Sequence, residues 1–97
     1  MRLVIPHTLS RPEAVTKIQR LLLEAKPKLA DKLTVEEERW EADVLHFAFT
    51  TQGQRISGTL EVKDAEFVLD AKLPFMMRMF EGRIEKMIAE QSKQMLR

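Results

Sequence analysis

The sequence predicts an α+β fold in which a curved antiparallel sheet holds two helices on one face. Three observations carry this. Between Leu33 and Leu73, four short stretches alternate apolar with polar residues and are separated by turn-forming residues. Two amphipathic helical segments flank that block, and a short apolar run, Leu3-Val4-Ile5, opens the chain. The order is strand, helix, four strands, helix. At 97 residues the chain is one domain, 1–97, which buries roughly 60 to 65% of its unfolded surface and folds without staples.

The first helix has clear signals at its start. Ser10-Arg11-Pro12-Glu13 reads as a capping box with Ser10 as N-cap: the hydroxyl accepts from the Glu13 amide, the Glu13 carboxylate reaches back, and Pro12 gives up no needed donor. Ala14, Val15, Ile18, Leu21, Leu22, Ala25 and Leu29 then share one stripe at 3.6-residue spacing, which should face the sheet. Pro27 removes a helix bond and crowds the preceding turn, so a kink or early end is expected near Ala25-Lys26.

In the strand block, Thr34 to Trp40 should pair with a strand starting at Val44 through the turn Glu41-Ala42-Asp43. The run Glu36-Glu37-Glu38-Arg39 is too charged for a strand buried on both faces and suits a sheet edge guarded against pairing with other chains. Leu45, Phe47 and Phe49, then Ile56, Gly58, Leu60 and Val62, then Phe67, Leu69, Ala71 and Leu73 form one oily face. The residues between them are small or polar. Gln52-Gly53-Gln54 and Lys63-Asp64-Ala65 supply the remaining turns.

The last helix should run from about Pro74 to Leu96, with a core stripe of Met76, Met77, Phe80, Ile84, Met87, Ile88, Gln91 and Met95. Five of the six methionines lie here, as suits a helix filling uneven gaps over a curved sheet. Phe75 and Met79 project away from that stripe, so one helix cannot bury both sets against one sheet. Either the first helix or the chain entering from Leu73 covers them, or they form an exposed patch for a partner, a second subunit or an apolar surface.

Composition narrows function more than motifs do. Sixteen basic against fifteen acidic residues give a net charge of +1, so the molecule has no electrostatic reason to seek nucleic acid or anionic lipid. There is no cysteine, hence no disulfide framework, thiolate metal site or cysteine nucleophile. No stretch approaches a membrane span or a signal peptide, and a soluble cytoplasmic protein is the expectation. His7 and His46 have no metal-ligand spacing. His46 falls on the polar sheet face, where a surface position is expected. Glu36, Glu38, Glu41 and Asp43 could pair as acid and base, but nothing in the sequence brings a desolvating pocket to them. None of the three glycines opens a phosphate-cradling loop, and Ser57 lies mid-strand without the glycine pattern of a nucleophile elbow. No catalytic residue, cofactor site or metal site is expected, and the chain is read as no enzyme.

The element order invites comparison with TATA-binding-protein-like and helix-grip layouts. Gripping a duplex would need a basic stripe or inserted aromatics, whereas the free face offers Ser57, Thr59, Glu61, Asp70 and Lys72. A more specific likeness lies in the runs themselves. Trp40-Glu41-Ala42-Asp43-Val44-Leu45-His46-Phe47, Gly58-Thr59-Leu60-Glu61-Val62, and Val68-Leu69 leading through Leu73 into a helix with Phe80 and Ile84-Glu85 resemble the small polyhydroxyalkanoic acid system protein family. Pro6-His7 before an Ala-containing helix is also similar. The family's usual turn of tryptophan, any residue, glycine and aspartate is here Trp40-Glu41-Ala42-Asp43, so alanine replaces the glycine.

The resemblance implies bacteria that make polyester storage granules and a non-enzymatic accessory role in granule formation or regulation. It supplies no catalytic residues. The implied partners are the granule surface or a granule-associated protein, in the cytoplasm, met through a candidate patch of Phe75, Met79, Met76 and Met77. Two other readings stay open: a pocket for a small apolar or acyl ligand lined by Trp40, Phe47, Phe49 and Phe67, and a structural homodimer.

Overall fold

The computed structural model describes residues 1–95, the Met95 side chain excepted. Leu96, assigned above to the last helix, and the Met95 side chain, assigned to its stripe, lie outside the described residues. The elements are β1 (Arg2–Pro6), α1 (Arg11–Leu29), β2 (Thr34–Glu41), β3 (Val44–Thr51), β4 (Gln54–Val62), β5 (Glu66–Lys72), α2 (Phe75–Arg78) and α3 (Glu81–Met95). The strands form one open antiparallel sheet in the order β1-β5-β4-β3-β2.

Pairing register turns the alternation of each strand into continuous rows. Leu3, Leu69, Leu60, Leu45 and Trp40 stand side by side across all five strands. One residue further along each strand, Arg2, Asp70, Thr59, His46 and Arg39 form the matching row on the opposite face. α1 lies on the apolar face, where Ala14, Val62 and Phe67 form a buried cluster joined by Ile5, Leu9, Val15, Ile18, Trp40 and Leu60. Ala14 is wholly buried, and its single methyl lets the helix backbone come close to β4 and β5.

Both predicted halves of the capping box are present. The Glu13 amide donates to Ser10 Oγ and the Ser10 amide to Glu13 Oε1, each at 3.2 Å. Arg11 in the first helical turn reaches Asp64 at 2.8 Å and Asp43 at 3.4 Å, tying α1 to the β4–β5 and β2–β3 turns. The expected end near Ala25-Lys26 is not found, and α1 continues through Pro27 to Leu29. Pro27 and Leu23, four residues apart, both lie exposed, so the Leu23 carbonyl that loses its helix partner faces water rather than the core.

Other departures have local causes. β2 carries a register shift between Val35 and Glu37, a bulge that kinks an edge strand already guarded by charge. On the polar face, Ala48 and Val68 are buried; Ala48 is a short side chain set between Glu37 and Ser57 of the neighbouring strands. The Glu41-to-Val44 connection keeps its tight form without glycine because Ala42 adopts φ +53°. Gln52 and Gly53 both take positive φ, which closes the β3–β4 hairpin with the twist its strands require.

The largest departure is in the last helical segment. It is two helices, α2 and α3, separated at Met79-Phe80, and its apolar stripe is not buried as a whole. Met77, Ile84 and Ile88 are half-buried, whereas Met76, Phe80, Met87 and Gln91 of the same expected core stripe are exposed. α3 runs beside β1 at the sheet edge and meets only part of that stripe with protein. α1 already occupies the middle of the apolar face.

Two backbone positions give measurable consequences. A methyl added at Gly58 would stand 2.1 Å from the Asp70 carbonyl oxygen of β5, so Gly58→Ala should cost about 1 to 3 kcal/mol in urea unfolding as the β4–β5 pair is forced apart. Ala42→Gly should act the other way, raising stability by roughly 0.5 to 1 kcal/mol by relieving left-handed strain. A destabilised Ala42→Gly protein would contradict the turn geometry.

Candidate functional site

The polar candidates resolve into structural pairs. Glu36 accepts from the Thr50 hydroxyl and from Arg55 Nε at 2.9 Å; Glu38 meets Lys26 of α1 at 2.7 Å; Glu41 meets Arg39 at 3.0 Å; Asp43 meets Arg11. They stand on β2 and its turn at the molecular surface, each beside a cation rather than beside another acid in a pocket. The Thr50 hydroxyl, and after it Arg55, holds the Glu36 carboxyl below its ordinary value. His46 lies on the polar face as its parity requires, half-buried, with Nε2 3.4 Å from Glu41. Among the described residues no group of three or more His, Asp or Glu could hold a metal ion.

His7 is the residue whose role the sequence did not disclose. It is 9% exposed, with its ring 4.6 Å from that of Phe67. The Leu9 amide donates to Nδ1 at 3.1 Å, which makes that nitrogen an acceptor. The proton therefore sits on Nε2, which donates to the Lys63 carbonyl at 2.8 Å. This neutral imidazole joins the β1–α1 connection to the β4–β5 turn, a structural duty that uses both ring nitrogens.

The four aromatics of the ligand-pocket reading are spent elsewhere. Phe67 is 1% exposed in the core and Trp40 packs against the same cluster; Phe47 and Phe49 lie side by side on β3, rings 6.2 Å apart. A groove of about 290 Å³ does exist, between β1 and α3, but Val4 to Thr8 and Ala89, Ser92 and Lys93 line it. None of the four aromatics reaches it.

The apolar patch is the remaining candidate. Phe75 and Met79 are each 80% exposed and Met76 is 69% exposed, while Met77 is half-buried and turned toward the protein. Arg78, the only charged residue of α2, donates from Nε to the Leu73 carbonyl at 3.3 Å, which draws it back along the chain. Phe80 and Met87 extend the apolar surface along α3 at 52% and 55% exposure. Between them these five residues expose on the order of 600 Å² of surface. Phe80 and Met87 were missed because their spacing matches a buried stripe, and periodicity does not report how much protein is available to cover it.

The sequence model of the polyhydroxyalkanoic acid system protein family matches residues 1–96. The chain belongs to this family. No curated protein and no solved structure matches it. The family description names a storage-polymer system and no reaction. Among the described residues of this family member, no helix is long and apolar enough to cross a membrane.

The depressed Glu36 carboxyl has a definite sign in acid. Its contribution to stability is present above the ordinary carboxylate value and is lost as pH falls through the lowered folded value. Glu36→Gln should therefore flatten the acid limb of the stability profile and change the neutral plateau little, since the pair is solvent-screened. An unchanged acid limb would show that the Thr50–Glu36–Arg55 contacts do not persist in solution.

Proposed function

We propose that this polyhydroxyalkanoic acid system protein is a non-enzymatic accessory factor that associates in the cytoplasm with storage granules, or with a granule-bound protein, through the α2 patch. The observation that carries this reading is the exposure of Phe75 and Met76 in the single turn of α2 and of Met79 at its C-cap, with the one charge of that turn drawn away. A polyester surface is apolar and uncharged, bearing only ester acceptors. A protein of net charge +1 has no long-range attraction to it, so contact must come from apolar burial.

The magnitude fits reversible binding. Burying those three side chains gains on the order of 10 kcal/mol gross at about 25 cal/mol per Å². Lost translational and rotational freedom consumes much of that. A single patch therefore gives a protein that exchanges on and off a surface rather than one that anchors permanently.

The test is co-sedimentation with isolated polyhydroxyalkanoate granules, native and protein-stripped. Phe75→Ser/Met79→Ser should weaken association about 100-fold while leaving the circular dichroism spectrum and urea midpoint unchanged. Binding to stripped polymer supports direct contact, and binding only to native granules supports a protein partner. Wild-type protein in neither pellet, or full binding by the double variant, overturns the reading.

A further inference from the structure

The exposed half of the α3 stripe has a regular spacing. Ile84, Met87 and Gln91 of α3, with Phe80 immediately before the helix, follow one another at steps of four, three and four residues, the spacing used along the seam of a two-helix coiled coil. Phe80 and Met87 are more than half exposed, Gln91 is exposed and Ile84 is half-buried, so the seam lies along the molecular edge where another helix can reach it. Beside it stand Arg83 and Glu90, seven residues apart on the same flank, both exposed and neither in an ion pair among the described residues. Lys86 and Lys93 sit within a turn of Glu90 on α3, and neither pairs with it in the structure.

We infer that α3 pairs antiparallel with α3 of a second copy of this chain. A two-fold axis between positions 83 and 90 sets Arg83 against Glu90 of the second copy and Glu90 against its Arg83. The same register stacks Ile84 on Met87 of the second copy and Phe80 on its Gln91, so seam and charges agree on one alignment. A parallel pair would instead set Arg83 against Ile88 and leave the charge without a partner. The occupant is a second copy because the charge pattern is complementary to itself under that axis, as an isologous interface requires. The seam residues differ from Phe75 and Met79, so this inference stands or falls apart from the granule reading.

The experiment is sedimentation equilibrium of the full chain across about 1 to 100 μM, with charge-reversed variants. Wild type should approach twice 11.3 kDa. Arg83→Glu places glutamate against Glu90 at both ends of the seam and should weaken dimerisation tenfold or more; Glu90→Arg should do the same. The combined Arg83→Glu/Glu90→Arg variant restores opposite charges and should recover the dimer, a result that misfolding cannot mimic. A wild-type monomer throughout the range, a dimer indifferent to Arg83→Glu, or failure of the combined variant to recover overturns the pairing.

Discussion

Phe67 is enclosed from several directions at once, and the placement of the other elements depends on that enclosure. Ala14 of α1 and Val62 of β4 pack with it in the buried cluster, and the His7 ring lies tilted against it. His7 is fixed by its two hydrogen bonds to Leu9 and Lys63, which sets where β1 ends and how the chain turns toward the Ser10 cap. Seating Phe67 therefore fixes the entry of α1, and the Arg11 contacts to Asp43 and Asp64 hold that entry from the solvent side. The buried contact supplies most of the energy; the exposed ion pairs add register more than stability.

With α1 committed across the middle of the apolar face, the remaining helical segment has only the β1 edge to pack on. Among the described residues no further layer covers what extends beyond that edge. The break at Met79-Phe80 lets α2 turn away while α3 continues beside β1. The exposed methionines and phenylalanines follow from this arrangement: an apolar stripe is wider than the protein available to cover it.

The parts of this fold that are legible in sequence are those set by neighbours in the chain. Ser10 and Glu13 are three residues apart and cap one helix; the strand alternation assigns every side chain to a face once pairing is given. Pro27 and Ala42 were harder to read because their outcome depends on what lies beyond the local segment. Pro27 is tolerated in α1 where the carbonyl it orphans lies on the exposed side of the helix, and alanine replaces glycine where hairpin pairing on both sides outweighs the strain. The patch was half legible. Phe75 and Met79 betray themselves by leaving the stripe, whereas Phe80 and Met87 stay on it and become exposed only because the sheet edge ends too soon.

The α3 pairing and the α2 patch also constrain each other. Because α2 is broken from α3, Phe75 and Met79 lie outside the inferred seam, and the inferred antiparallel dimer would carry this pair at each end rather than bury it. A single patch of this area would bind reversibly, given the cost of association. Two patches on one rigid body turn the second contact into an intramolecular event, which lengthens residence on an extended surface without any new residue touching it. A small granule partner offering one site would gain nothing from this, whereas a polymer surface offering many would. A dimer paired as inferred above would thus gain more from the polymer surface than from a monovalent protein as the proposed partner of α2.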